Sequence, residues 1–405
     1  MMDDQIPPYT PSDFHFSGNI RKYYVASEIV DWDYAPTGWD NWLGVPMEDS
    51  PRAYSAGYLE SAGSILGTGP WKKAKYVGYT DDTFSTKTSQ PDNAGMNGPV
   101  MRAEVGDMIE IYFVNKMPAH YAALHSMGLS YNKQNEGSLY PTVLVPGVEE
   151  PVIAGDAVPP GGCYVYKWVV PQSSGPIDGS NSALRAYHNY VNLGADINAG
   201  LQGPTIIYAS GKMNQTMATN RELIFLFNIY HESKSFLAGE NAAAAGVSAS
   251  ATYSGPNPSS ISGLGNYTLW HPQLTNTPSV SLSTTQAPHF HTINGYVFSN
   301  APAFEMCQAD GVIWYTYAFG SASHVFHLHG NNFQVEGQGR WAASHSLNDG
   351  DMVALTMTAG APGVWNAICH VDNHLERGML APYKVQPSGN CTLPPLASND
   401  DYSNN

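Results

Sequence analysis

Two short stretches near the carboxy-terminal end concentrate side chains that bind soft, redox-active metals: HVFHLHGNNF, with His324, His327 and His329, and GVWNAICHVDNHLERGML, with Cys369, His370, His374 and Met379. A cysteine, a histidine five residues on and a methionine five beyond that, with an upstream histidine cluster, supply thiolate, imidazoles and a weak thioether. That is the ligand set of a blue copper electron-transfer centre, because thiolate and thioether favour copper(I) while imidazole serves both oxidation states. His327 and His329 alternate about Leu328, so in a strand both face the same way. His370, next to Cys369, is expected to project away from the blue site toward a second metal position. His125 in AALHSMGLSY and His188 in RAYHNYVNLG lie in comparable settings further upstream. A second centre drawn from His125, His188, His327, His329 and His370 would be interdomain, with enough imidazole for one or two coppers.

The elements that must position these residues read as strands. MRAEVGDMIEIYFVNK, CYVYKWVV, ELIFLFNIY, GVIWYTYAF and DMVALTM are rich in Val, Ile, Tyr and Phe and are separated by Gly, Pro, Asn and Asp turn signals. GLQGPTIIYA and RGMLAPYKVQ both read as the last strand of a domain. MRAEVGDMIEIYFVNK and CQADGVIWYTYAF resemble each other, each ahead of a histidine-bearing segment, which points to duplication. The chain is therefore expected to be all-β, with two β-sandwich domains: residues 1–215, including a long amino-terminal approach and second-site histidines, and residues 216–405, with the blue site and a tail. AAAAGVSASATYSG reads as a surface excursion.

The 405 residues include 34 acidic and 18 basic side chains, a net charge of −16 that repels nucleic acid and anionic membranes, and no basic patch offsets it. No apolar run reaches the roughly 20 residues of a spanning helix. Low lysine content and acceptor triplets at Asn214, Asn266 and Asn390 favour a secreted glycoprotein.

At this point the sequence resembles the multicopper oxidases, particularly the ceruloplasmin-like branch and the two-domain laccases. The likeness runs over most of residues 90–390 and includes YNKQNEGSLYP, DINAGLQGPTIIY and HTINGYVFSNAPAFEMCQADGVIWYTYAFG. It implies two cupredoxin-like Greek-key sandwiches, copper as cofactor, and a type 1 site of His324, Cys369, His374 and Met379. It further implies a cluster that reduces dioxygen with electrons from a small-molecule organic donor, phenols and secondary metabolites among the classes. The family's paired histidines are incomplete here: Met127, Tyr190 and Ile368 stand where histidines are usual. Tyr190 could ligate as phenolate or relay charge, Met127 could bind only copper(I) well, and Ile368 binds none. These substitutions imply a remodelled mono- or dinuclear second site. A conventional laccase, a nitrite-reductase-like enzyme and a non-enzymatic blue-copper carrier are the alternatives. Two-domain laccases form trimers with clusters between chains, so a homotrimer and a monomer are both open.

Other residues have ordinary structural roles open to them beside functional ones. His289 and His291 alternate like a ligand pair, and His120 lies near enough to His125 to replace a missing ligand. His345, Asp372 and Glu376 are candidates for the rim of the blue site, and Trp365 for packing on its loop. Cys163 and Cys391 offer a tether for the tail, with Cys307 equally available.

Overall fold

Alternating apolar side chains make Ile20–Trp32 a long strand, paired antiparallel with Trp71–Tyr79 and parallel with Met108–Asn115, which also pairs with Cys163–Val169. A second four-stranded sheet runs in the order Met101–Glu104, Gln202–Tyr208, Ser182–His188 and His125–Met127. Val25, Tyr76, Ile111 and Trp168 of the first sheet share a core with Ala103, Tyr187 and Ile207 of the second. The computed structural model describes residues 10–59, 67–139, 153–251, 276–284 and 286–393.

The same wiring recurs downstream. Asn220–His231 pairs antiparallel with His289–Ile293 and parallel with Gly311–Phe319 in a six-stranded sheet. Phe304–Cys307 runs parallel to Leu380–Gln386 in a five-stranded sheet, as Met101–Glu104 does to Gln202–Tyr208. The two segments that resemble each other in sequence therefore occupy matching places. Phe225, Phe227, Trp314, Phe326 and Tyr383 fill the space between the six- and five-stranded sheets. The chain is all-β with two sandwiches, and the 215/216 division expected from sequence falls inside the helix Met213–Thr219.

Within ELIFLFNIY, residues 223–227 form an unbroken apolar run because the middle of the strand is buried on both faces. Phe225 and Phe227 enter the second core, while Leu226 points the other way and joins Ile206, Tyr208, Tyr315 and Tyr317 between the sandwiches. Each fully buried side chain of this size contributes roughly 1.5–3 kcal/mol of transfer free energy. A wholly buried ion pair crosses nearby: Lys73 Nζ lies 2.6 Å from Glu232 and donates to the Asn198 carbonyl at 2.6 Å, and Tyr34 donates to the same carboxylate.

The amino-terminal approach is a clamp. Tyr34, Met47, Ala53 and Tyr58 pack against Phe290, Val297 and Phe298 of the second sandwich. Its short helix Pro51–Ala56 starts where Ser50 Oγ accepts from the Ala53 amide at 3.2 Å, with proline in the first turn where its missing amide costs nothing. The expected surface excursion is partly a helix, Ala238–Ala244, whose Ala238 and Ala242 join that packing, as alanine's helix propensity allows. Residues 252–255 of the excursion, and Asn266, lie outside the described residues. Among the described residues no helix is long and apolar enough to cross a membrane.

Candidate metal centres

Phe326 of the strand His324–Leu328 faces Cys369 of Gly363–Cys369, which brings the histidine cluster beside the cysteine. After Cys369 the chain turns through the helix Asp372–Glu376, which carries His374, and returns through Met379. The Cys369 amide donates to the Met379 carbonyl at 3.1 Å, and the Met379 amide to the His374 carbonyl at 3.0 Å, closing the loop. Gly378 is essential to this turn: its φ is +95°, and a side chain there would meet the Phe298 amide nitrogen at 2.9 Å.

Within this loop Cys369 Sγ lies 3.5 Å from His374 Nδ1 and 3.7 Å from His324 Nδ1, and Met379 Sδ lies 3.2 Å from His324 Nδ1. Among the described residues, His324, Cys369 and His374 are the one group of three His, Cys, Asp or Glu whose ligand atoms lie within 4.8 Å of one another. Burial pushes His324 down to about 3, with a smaller push from His374, and holds His374 below the usual imidazole range, so both rings are neutral. Burial likewise raises the Cys369 thiol. His324 stacks flat on Phe227, 5.1 Å between centroids, and its Nε2 is buried without a hydrogen-bond partner. An orphaned ring nitrogen costs about 1–3 kcal/mol. It is the Nδ1 atoms of His324 and His374 that face Cys369 Sγ, with Met379 Sδ beside His324, and two imidazoles, a thiolate and a thioether fit copper.

The remaining histidines fall into two groups. His125 and His188 are cross-strand partners with ring centroids 5.2 Å apart, and Tyr190 lies 5.2 Å from His125 and 5.7 Å from His188. His188 Nδ1 donates to the Asn189 carbonyl at 2.9 Å, and burial depresses its ring to about 4. In the second sandwich His327 lies 5.5 Å from both His329 and His370. Phe326 and Leu328 point into the core, so His327 faces outward from the five-stranded sheet, and His329 and His370 are exposed. His188, by contrast, packs on Phe319 at 5.8 Å on the side where the six-stranded sheet meets the first sandwich. Within one chain, therefore, the five histidines are not gathered into a single pocket.

Met127 packs with the apolar layer between the sandwiches. His120 is buried against Phe236 and its Nε2 lies 2.8 Å from Glu240. Ile368 is buried in its strand. Trp365 donates to the Ala361 carbonyl at 3.1 Å, His345 pairs with Phe326 at a sheet edge, Asp372 is exposed at the helix start, and Glu376 lies 3.9 Å from Arg52. Cys307 bonds Cys391, while Cys163 is free and exposed.

One relationship escaped sequence reading. His231 and His289 are register partners with centroids 4.0 Å apart, and His291 lies 5.0 Å from His374. The alternation in HFHTI marked His289 and His291, but nothing local marked His231.

Residues 271–389 match the multicopper oxidase family model. The chain is 31% identical to hephaestin of Homo sapiens over 386 residues, covering 93% of this chain and 30% of that protein. It is 28% identical to ceruloplasmin of Ovis aries over 379 residues, covering 92% of this chain and 33% of that one. It thus spans about a third of the length of these relatives. A solved multicopper oxidase structure superposes with a TM-score of 0.53 at 17% identity, covering 93% of this chain and 92% of the other, which shows the shared fold. Residues 271–389 thus match a multicopper oxidase domain, and the chain that contains them resembles members of that copper-using family over more than nine-tenths of its length.

Proposed function

We propose that this chain is a copper-dependent oxidoreductase, atypical among multicopper oxidases, that takes electrons from a small-molecule donor and passes them to dioxygen. The observation that carries this reading is the buried convergence of His324, Cys369, His374 and Met379. Copper bound there would supply reversible one-electron chemistry. His324, Cys369 and Met379 are fully buried, so the His374 side, 8% exposed, is where a donor approaches. The Cys369–His370 peptide joins this pocket to the outward-facing trio. Because that trio and the His125–His188 pair lie against different sheets of the second sandwich, a second copper centre is best completed between copies of the chain, which favours an oligomer over a monomer. Division into domains 1–215 and 216–405 is supported by each half holding its own pair of sheets. The disulfide and the acceptor triplets support a secreted setting.

A second reading concerns the donor. His231, His289 and His291 are all held below the usual imidazole range by burial, and the neutral rings line the approach to His374. Neutral imidazoles bind divalent transition metals, which makes an oxidisable metal ion the donor rather than a phenol. Loss of ferrous-ion oxidation but not phenol oxidation in His289→Ala supports this; equal loss of both removes it.

The reading as a whole is tested by counting electron-paramagnetic spins against total copper in the oxidised protein. A type 1 signal with a second, distinct copper supports the enzyme. A type 1 signal alone, without oxygen consumption, leaves an electron carrier.

A further inference from the structure

The geometry points to Tyr190 as a copper ligand that, with His125 and His188, makes a two-imidazole, one-phenolate site on the first sandwich. The inference rests on the second copper centre proposed above and names the donor that replaces its missing imidazole.

Three observations support it. The three rings are mutually close, at 5.2, 5.2 and 5.7 Å between centroids. His125 Nδ1 donates to the Glu136 carbonyl at 2.8 Å and His188 Nδ1 to the Asn189 carbonyl at 2.9 Å, so each ring offers Nε2 as its free nitrogen. Ligating histidines are held in this way, with the far nitrogen tied to a carbonyl and the near one turned to the metal. The third observation is the phenol itself. The hydroxyls of Tyr58, Tyr76, Tyr187, Tyr208, Tyr230 and Tyr315 all make hydrogen bonds. The half-buried Tyr190 hydroxyl has no such partner among the described residues, although the backbone is fixed by the Leu139 amide donating to the Tyr190 carbonyl at 3.0 Å.

Met127, on the strand that carries His125, is engaged in the apolar layer between the sandwiches, which leaves Tyr190, beside both rings, to complete the pair. On ligation the phenol gives its proton to solvent and the oxygen becomes an anionic, hard donor. Two imidazoles and a phenolate stabilise copper(II) over copper(I), the opposite bias from the Cys369 and Met379 sulfurs. The chain then holds one site suited to copper(I) and one suited to copper(II).

The test is copper(II) titration of the full-length Cys369→Ser protein, in which the intense thiolate absorption is gone. A phenolate-to-copper(II) charge-transfer band, with phenolate ring modes in resonance Raman, is expected. Tyr190→Phe should abolish both and weaken copper at this site by about tenfold or more. Tyr190→His should retain copper without the band, and Tyr131→Phe should keep the band, since Tyr131 lies further away, 5.8 Å from His125. Histidine-bound copper at this site without a phenolate band, or a band that survives Tyr190→Phe, overturns the ligation by Tyr190 alone. Absence of any copper that depends on His125 and His188 overturns the second centre together with it.

Discussion

His125 and His188 stand directly opposite each other across the antiparallel pair His125–Met127 and Ser182–His188, with ring centroids 5.2 Å apart. Register alone makes neighbours of two residues far apart in sequence, and each ring is the other's nearest partner imidazole. His188→Ala should therefore lower copper affinity at this pair by at least about tenfold. The blue absorption of the Cys369 site should be unchanged, because the two places share no side chain and distant sites act independently. Metal analysis and a visible spectrum of the same sample check both halves of this expectation.

Met379 contributes a fully buried thioether to the pocket of His324, Cys369 and His374. Met379→Leu conserves volume and should cost less than about 1.5 kcal/mol of stability. With copper bound in this pocket, removing a weak thioether donor should raise the reduction potential while the thiolate band persists. Redox titration of the copper-loaded variant measures this, and an unchanged potential would place the thioether outside the ligand set.

Lys73 and Glu232 are both completely buried, and the lysine also donates to Asn198. Lys73→Met strands a carboxylate in the interior and should destabilise the chain by about 3–5 kcal/mol. Adding Glu232→Gln should recover much of that loss, since the isolated charge is then gone. Denaturant unfolding of wild type, single and double variants reads the coupling directly.

Asp196 is fully buried, and desolvation raises its carboxyl to about 7 from the usual 3.8. Between those values the folded chain holds a proton that the unfolded chain has released. This contribution to stability is therefore full below about pH 4 and falls as pH rises through about 7, by at most roughly 1.4 kcal/mol per pH unit. Asp196→Asn should flatten that slope whatever its constant offset. Unfolding midpoints at several pH values compare the two, and parallel curves would remove the assignment.

Much of the convergence of His324, Cys369, His374 and Met379 was legible because most of these residues are local. Cys369, His374 and Met379 belong to one turn, and the strand period places the upstream histidines. What depends on strand register was not legible. His231 meets His289 only because two strands pair with that offset. Cys307 finds Cys391 because Phe304–Cys307 runs beside Leu380–Gln386, which leads into the tail, whereas Cys163 opens a strand of the first sandwich opposite Val114. Burial was equally hidden: Met127 looks like a thioether ligand in sequence, and the contact between sandwiches makes it a packing residue. The two-sandwich fold was readable from alternation and the internal resemblance. The clamp of Tyr34 and Tyr58 onto Phe290 and Phe298 was not, since nothing periodic announces it.

The layer of Leu226, Ile206, Tyr208, Tyr315 and Tyr317 has a consequence for the way the chain comes apart. A protease nick or an expression boundary between the sandwiches would bare a wide aromatic face on each fragment, and such faces self-associate. Heating the intact chain should then give a single calorimetric transition rather than two, and a separately produced half should precipitate or pair with its own kind until the other half is supplied.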